Sequence, residues 1–271
     1  MSEGKRVLIT GASGRIGSAL RKHLSSEYAL TNLVHRASRV EGSNYVVVDA
    51  LHDYDGLRSA FSGQDVVVHL AITREEPRRL NNLAMTMNVY KAASETGVSR
   101  VIMASSIHAA GGYWGGSVSR FPTQRVFSKK PVYRHIANRD FAKVKEIPLI
   151  TVDALPYPDS VYGATKVFME ALGRYYADMG LSVVCIRFGG VNEYDSPLKG
   201  PENERGYHSI WFSHRDLSQL VKKCIDSSTL PPFSIFFGVS NNRYCILDTS
   251  NSREQLGYAP VDDAESFYED G

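Results

Sequence analysis

The stretch "KRVLITGASGRIGSALRKHL", residues 5–24, decides the fold. It opens on a short β-branched run and closes on apolar residues at helical spacing, with Ile16, Leu20 and Leu24 on one face. Between the two, "TGASGRIG" sets Gly11, Gly14 and Gly17 where a strand must turn sharply into a helix. Glycine allows the turn and lets a pyrophosphate approach the backbone, while the unpaired N–H groups and the dipole of the helix N-terminus stabilise its charge. A glycine motif in isolation carries little weight. One that closes a strand and opens a helix predicts a dinucleotide site formed by Gly11, Ser13, Gly14, Arg15, Ile16 and Gly17.

Similar apolar runs recur as "ALTNLVH" (29–35), "NYVVVDA" (44–50), "DVVVHLAI" (65–72), "RVIMASS" (100–106) and "LSVVCIRF" (181–188), with amphipathic helices between most of them, notably over 80–97 and 160–179. Strands that are apolar throughout and alternate with helices predict a parallel sheet covered on both faces, an α/β doubly wound fold of the Rossmann type. Loops at the carboxyl ends of such strands hold the ligand. The rhythm breaks twice. Residues 111–158 form a Gly/Pro-punctuated connection, too long for an ordinary loop and expected to be functional or to form an interface between copies, so a homo-oligomer is expected. After residue 188 a polar loop (189–209) leads to a helix near 213–226 and a strand at "PFSIFFGV" (232–239). The expected organisation is a dinucleotide-binding domain over 1–188, carrying the insertion 111–158, followed by a small substrate lobe over 189–271 that is not an independent domain.

Composition narrows the partners. A chain of 271 residues with 43% apolar residues can bury a full core, and a formal charge of +2 without a long run of one sign leaves no footprint for nucleic acid or an anionic membrane. A small-molecule ligand is expected. Three cysteines, Cys185, Cys224 and Cys245, are odd in number and lack CxxC spacing, which argues against a disulfide framework or a zinc site and predicts a reducing, cytoplasmic location and no metal. The N-terminus has no signal-peptide core, and the longest apolar runs are far shorter than a membrane span.

An acidic residue at the end of the second strand would bind the adenosine ribose of NAD. That place holds His35 and Arg36, with Arg39 behind them. An arginine there can pair bidentately with a 2′-phosphate, so NADP is favoured and NAD stays open; the bland reading is a solvated loop charge. Asp49 suits the adenine amino group or a turn equally well. Ala50, Leu70, Ala71 and Phe188 close neighbouring strands and are expected to line the dinucleotide.

"DSVYGATKVFMEALGRYY" (159–176) sets Tyr162 and Lys166 one helical turn apart, and Ser105 and Ser106 end the fifth strand. A tyrosine is a poor base at neutral pH, but an ammonium one turn away and an oxidised nicotinamide favour its phenolate. Tyr162 can then take the proton of a substrate hydroxyl while hydride leaves the same carbon, and a serine hydroxyl holds the oxygen in place.

"TGASGRIG", "HLA" (69–71), "ASS" (104–106) and "YGATK" (162–166), in this order and separation, resemble the extended short-chain dehydrogenase/reductase superfamily, of the NAD-dependent epimerase/dehydratase type. The resemblance implies Tyr162 as acid/base, Lys166 on the nicotinamide ribose, Ser106 rather than Ser105 as the third member, and Asn88 of "TMNVYKAA" as the helix asparagine, with Lys91 where a glycine is usual. "ASSIHAAG", "ITVDALPYPDSVYGATK", "ERGYHSIWFSHRD" and "FFGVSNNRY" resemble uronate dehydrogenases and, more closely, archaeal glucose-6-phosphate dehydrogenases of the same fold. That implies oxidation of the C1 hydroxyl of an acidic hexose to a lactone, an activity of carbohydrate metabolism.

Lys199, Arg205 and His208 supply cationic or N–H groups for such an anion, Arg205 first because its planar fork suits carboxylate or phosphate; a solvent-exposed loop arginine is the alternative. His108 either touches substrate or lines the wall. Ile107 replaces an asparagine expected on sugar hydroxyls, and Arg120, Arg125, Lys129, Lys130 and Arg134 either recruit a phosphate or cap an interface. Only 83 residues follow Phe188, thin for a lobe gripping a nucleotide sugar. Two other readings stay open: a nucleotide-sugar 4-epimerase or dehydratase, and a dinucleotide-binding sensor without turnover.

Overall fold

A computed structural model describes residues 4–36, 44–73, 80–114, 130–197 and 206–269. Its strands are β1 (Arg6–Thr10), β2 (Ala29–Val34), β3 (Tyr45–Val47), β4 (Val66–His69), β5 (Arg100–Ser106), β6 (Ser182–Phe188) and β7 (Phe233–Gly238), hydrogen-bonded in the order β3-β2-β1-β4-β5-β6-β7. The pairs β1–β2, β1–β4, β2–β3 and β4–β5 are parallel. The helices are α1 (Arg15–Leu24), α2 (Tyr54–Phe61), α3 (Asn81–Thr96), α4 (Pro131–Ala137), α5 (Val161–Asp178), α6 (Tyr207–Ile210), α7 (His214–Asp226), α8 (Ser250–Leu256) and α9 (Ser266–Glu269). This is the doubly wound α/β sheet expected from the sequence. Strand order reverses between β1 and β4, the switch point at which such sheets bind ligands.

Packing divides the chain into two units. The first gathers residues 1–104, 168–186 and 221–235; the second gathers 105–167, 187–220 and 236–271. The insertion and the C-terminal segments thus pack as one body.

In the first unit, Leu8, Leu33, Val67, Val101, Met103 and Val183 are at most 2% exposed. They form one cluster with Val89, Tyr90 and Ala93 of α3 and Met169 and Ala177 of α5. Each Leu, Val or Met among them contributes roughly 1.5–3 kcal/mol relative to exposure. Lys91, which stands where the resemblance expected a glycine, is exposed: its ammonium pairs with Glu95 at 3.5 Å and lies 4.2 Å from the Tyr54 ring centroid. No space problem arises because the side chain runs over α2 rather than into the core.

In the second unit, Ile107, just after β5, and Tyr133, Ile136 and Ile150 of the insertion cluster with Ile210, Phe237, Val239, Ile246 and Leu247. Ile107 is 2% exposed, so the position where an asparagine was expected to meet sugar is part of the apolar core. The three cysteines are free thiols, and burial pushes Cys224 up to about 12 and Cys245 up to about 11. Among the described residues no helix is long and apolar enough to cross a membrane, and no group of three or more His, Cys, Asp or Glu could hold a metal.

Candidate active site

The first unit carries the glycine turn. Gly11 leaves β1 at φ +66°, and a Cβ there would lie 2.8 Å from the backbone of Ala71. Gly17 lies so close under the turn that a Cβ would lie 2.7 Å from the Ala12 Cα. Gly14 is the exposed N-cap of α1 and gives the helix no side-chain cap, so the first N–H groups face outward for an anion. Ser13 and Ile16 are half-buried beside it, and Arg15 is exposed.

A buried polar line holds this turn against the loop after β4. Sheet register sets Thr10 beside His69. Thr10 Oγ1 accepts the N–H groups of Leu70 (3.1 Å) and Ala71 (3.2 Å), so its own proton goes to His69 Nδ1 at 2.8 Å. With Nδ1 accepting, His69 carries its hydrogen on Nε2 and donates it to Thr86 Oγ1 at 3.2 Å. The sequence offered no sign of this line, because its members lie 59 and 17 residues apart.

At the end of β2, His35 and Arg36 are exposed, and Arg39 lies outside the described residues. Asp49 makes a turn: its carboxylate accepts the N–H of Leu51 (2.9 Å) and of His52 (3.2 Å), and His52 Nδ1 at 3.0 Å. Burial opposes its ionisation, but these hydrogen bonds outweigh it and hold the carboxyl below its usual range. Asn88 Nδ2 donates to the carbonyls of Ala50 (3.1 Å) and Leu51 (3.0 Å), tying α3 to the same turn. Ala50 and Leu70 are buried and Ala71 is half-buried.

The second unit carries the reactive side chains. Lys166 is 3% exposed, with its ammonium 5.5 Å from the Tyr162 ring centroid. The His108 ring stands edge-on to Tyr162, centroids 5.7 Å apart. Ser106 ends β5 and caps the turn that follows, its Oγ accepting the His108 N–H at 3.3 Å and keeping a proton to donate. His108 Nδ1 lies 2.7 Å from Asp159 Oδ2, a partner that sequence reading missed. Ser106, His108, Tyr162 and Lys166 all belong to the second unit. Phe188 is buried beside Phe212, their ring centroids 5.9 Å apart.

The anion-binding expectation fares differently. Lys199, Arg205, Arg120, Arg125 and Lys129 lie outside the described residues. His208 is 1% exposed, its ring edge-on to Phe141 with centroids 5.7 Å apart. Lys130 precedes α4 with its ammonium 5.9 Å from the Tyr133 ring centroid.

A family model described as "NAD dependent epimerase/dehydratase family" matches residues 7–192. The chain belongs to this family. It is 30% identical to the L-arabinose 1-dehydrogenase (NAD(P)(+)) of Haloferax volcanii, over 97% of this chain and 99% of that protein. It is 31% identical to the NAD-dependent glucose-6-phosphate dehydrogenase of the same organism, over 98% of this chain and 96% of that protein. The crystal structure of uronate dehydrogenase from Agrobacterium tumefaciens superimposes with a TM-score of 0.76 at 26% identity, covering 98% of this chain and 88% of that one.

Proposed function

We propose that the chain is an NAD(P)-dependent dehydrogenase that oxidises the C1 hemiacetal hydroxyl of an acidic hexose, a hexose 6-phosphate or a uronate, to a lactone. The observation that carries this reading is the buried Lys166 ammonium 5.5 Å from the Tyr162 ring centroid. The relatives named for L-arabinose, glucose 6-phosphate and uronate support it, since the match spans 99%, 96% and 84% of their lengths.

In this reading the Lys166 ammonium favours the Tyr162 phenolate, and the phenolate takes the proton of the C1 hydroxyl. The C1–H bond breaks with both electrons leaving as hydride, and C1 and its oxygen become the lactone carbonyl. NAD(P)+, when bound, supplies the hydride acceptor. Ser106 donates a hydrogen bond to the reacting oxygen, and His108 meets the sugar. Asn88 acts as a positioning residue that holds the Ala50–Leu51 turn.

The residues present fit a dinucleotide: a Cβ at Gly11 would fill the approach to Ala71, and α1 presents uncapped N–H groups. NADP is favoured, with Arg36 gripping the 2′-phosphate, and Arg205 is the first choice for the substrate's carboxylate or phosphate. The test is a panel of D-glucuronate, D-galacturonate, D-glucose 6-phosphate, L-arabinose and unphosphorylated hexoses with each cofactor, followed by nicotinamide absorbance. Turnover confined to nucleotide sugars, with tightly retained NAD(H) and no net absorbance change, would instead favour an epimerase or dehydratase.

A further inference from the structure

We infer that Asp159 is a positioning residue that fixes the tautomer of His108, and so decides which hydrogen bond a substrate must offer; the inference rests on the dehydrogenase reading above. The Asp159 side chain is 7% exposed. Its Oδ2 lies 2.7 Å from His108 Nδ1, and its Oδ1 accepts the Ser160 hydroxyl at 2.9 Å. A carboxylate has no proton to give, so Nδ1 carries the hydrogen, and of the two neutral tautomers only the one with Nε2 as an acceptor keeps this contact. Among the described residues no group hydrogen-bonds Nε2, and the His108 side chain is 28% exposed.

The contact is built into both segments. A Cβ at Gly111 would lie 2.1 Å from Asp159 Oδ2, so only glycine admits the carboxylate there. Three backbone bonds zip the segments together: Gly112 N–H to Tyr157 O (2.7 Å), Tyr157 N–H to Ala109 O (3.0 Å) and Asp159 N–H to His108 O (3.4 Å). Gly163, next to Tyr162, packs so closely that a Cβ would lie 2.3 Å from the His108 carbonyl oxygen. The His108 peptide is therefore clamped to the first turn of α5, and its ring stands 5.7 Å from the Tyr162 ring. With the C1 oxygen at Tyr162, a ring whose centroid is only 5.7 Å away would read the hydroxyl on the neighbouring carbon. With the tautomer fixed, that hydroxyl must donate. Ring orientation thus becomes specificity, because an aldose lacking the hydroxyl leaves Nε2 unpaired.

Selective 15N labelling of histidine in the full-length protein, with long-range 1H–15N correlation, reads the tautomer. Wild-type His108 should show a protonated Nδ1 and a bare Nε2. In Asp159→Asn, whose amide can donate as well as accept, the Nε2–H form should gain population. A wild-type proton on Nε2 overturns the inference.

Kinetics test the consequence with L-arabinose, D-glucuronate, D-glucose 6-phosphate and their 2-deoxy counterparts. Asp159→Asn should raise KM for the parent sugar about tenfold, change kcat far less, and narrow the preference over the 2-deoxy sugar. His108→Ala should narrow it likewise, and the double variant should be no worse than His108→Ala alone. Unchanged NADH affinity in each variant shows that the fold survives. Additive losses in the double variant, or an undiminished preference in Asp159→Asn, would mean that Asp159 acts independently of His108 and overturn the inference. If wild type binds NADH but oxidises none of these sugars, the dehydrogenase reading fails, and the tautomer measurement still decides whether Asp159 sets His108.

Discussion

The Lys166 ammonium lies 5.5 Å from the centroid of the Tyr162 ring, one turn along α5, in a side chain only 3% exposed. Little water competes for that charge, so it acts on the phenol at closer to its full strength than a surface lysine would. Tyr162→Phe keeps the ring and removes the proton acceptor. Turnover should fall by about 10²–10⁴-fold, while the Kd for NADH, read by fluorescence, stays within about twofold. Retained turnover would remove Tyr162 from the chemistry.

Gly11 and Gly180 separate backbone strain from steric contact. Both have positive φ, +66° and +99°, but a Cβ at Gly11 would meet the Ala71 backbone at 2.8 Å whereas one at Gly180 meets nothing within 4 Å. Gly11→Ala should cost about 2–4 kcal/mol and weaken NADH binding at least about tenfold, because the loop after β4 must move. Gly180→Ala should cost only about 1 kcal/mol and leave NADH affinity alone. Equal effects on binding in urea melts and NADH titrations would show that the approach to Ala71 is not the constraint.

Arg36 is exposed at the end of β2. If it grips the 2′-phosphate, Arg36→Ala forfeits charge-assisted bonds worth about 1.5–3 kcal/mol, a KM for NADP raised by roughly tenfold or more, with KM for NAD unchanged. Initial rates with both cofactors decide; an unaltered NADP constant assigns the phosphate to another residue.

Local pattern carried most of the fold. The β1 run, the glycine turn and the α1 stripe are neighbours in sequence, and the helices read over 80–97 and 160–179 form over 81–96 and 161–178. The short α2 was not read, although Asp53 caps it by accepting the Gly56 N–H at 2.9 Å. Eight residues give too little periodicity to stand out. The site was legible where one helix carries it, as with Tyr162 and Lys166. It was illegible where partners meet only through the fold: His108 and Asp159 are 51 residues apart, Thr10 and His69 59. Nothing near Asp159 in sequence marks His108 as its partner, and the sheet register that brings Thr10 to His69 is a property of β1 and β4 together.

Asp65 gives a pH test. The Arg6 N–H donates to its Oδ2 at 2.7 Å, and the Arg6 guanidinium approaches Oδ1 at 3.3 Å. The backbone N–H first, then the guanidinium, hold the carboxyl below its ordinary 3.8. A carboxyl depressed in the folded state stabilises above its unfolded pKa and loses that contribution as pH falls through the folded value. Asp65→Asn should therefore flatten the acid limb of the stability curve below about pH 4 and leave the slope near neutrality unchanged. Urea midpoints across that range measure it; parallel curves for variant and wild type would deny Asp65 any share in acid unfolding.

Arg139 and Glu265 join the insertion to the C-terminal helix through a paired fork, with Nη1–Oε1 at 2.9 Å and Nη2–Oε2 at 2.8 Å. Glu265 is 7% exposed in its side chain and Arg139 25%, and the guanidinium carbon lies 3.8 Å from the Tyr268 ring centroid. Two N–H donors of the planar guanidinium face the two carboxylate oxygens as parallel hydrogen bonds, a geometry that a lysine ammonium cannot reproduce. Glu265→Ala leaves a largely buried guanidinium without its anion and should cost about 2–4 kcal/mol, the lower part of the range for such pairs because Arg139 keeps some water. Arg139→Lys should cost less, about 1–2 kcal/mol, by keeping charge and losing the fork. Both should lower the urea midpoint while leaving NADH affinity unchanged, since the contacts of the pair run to Phe141 and Tyr268 and, among the described residues, to none of those expected at the dinucleotide. Two variants within about 0.5 kcal/mol of wild type would reduce the pair to an ordinary surface contact.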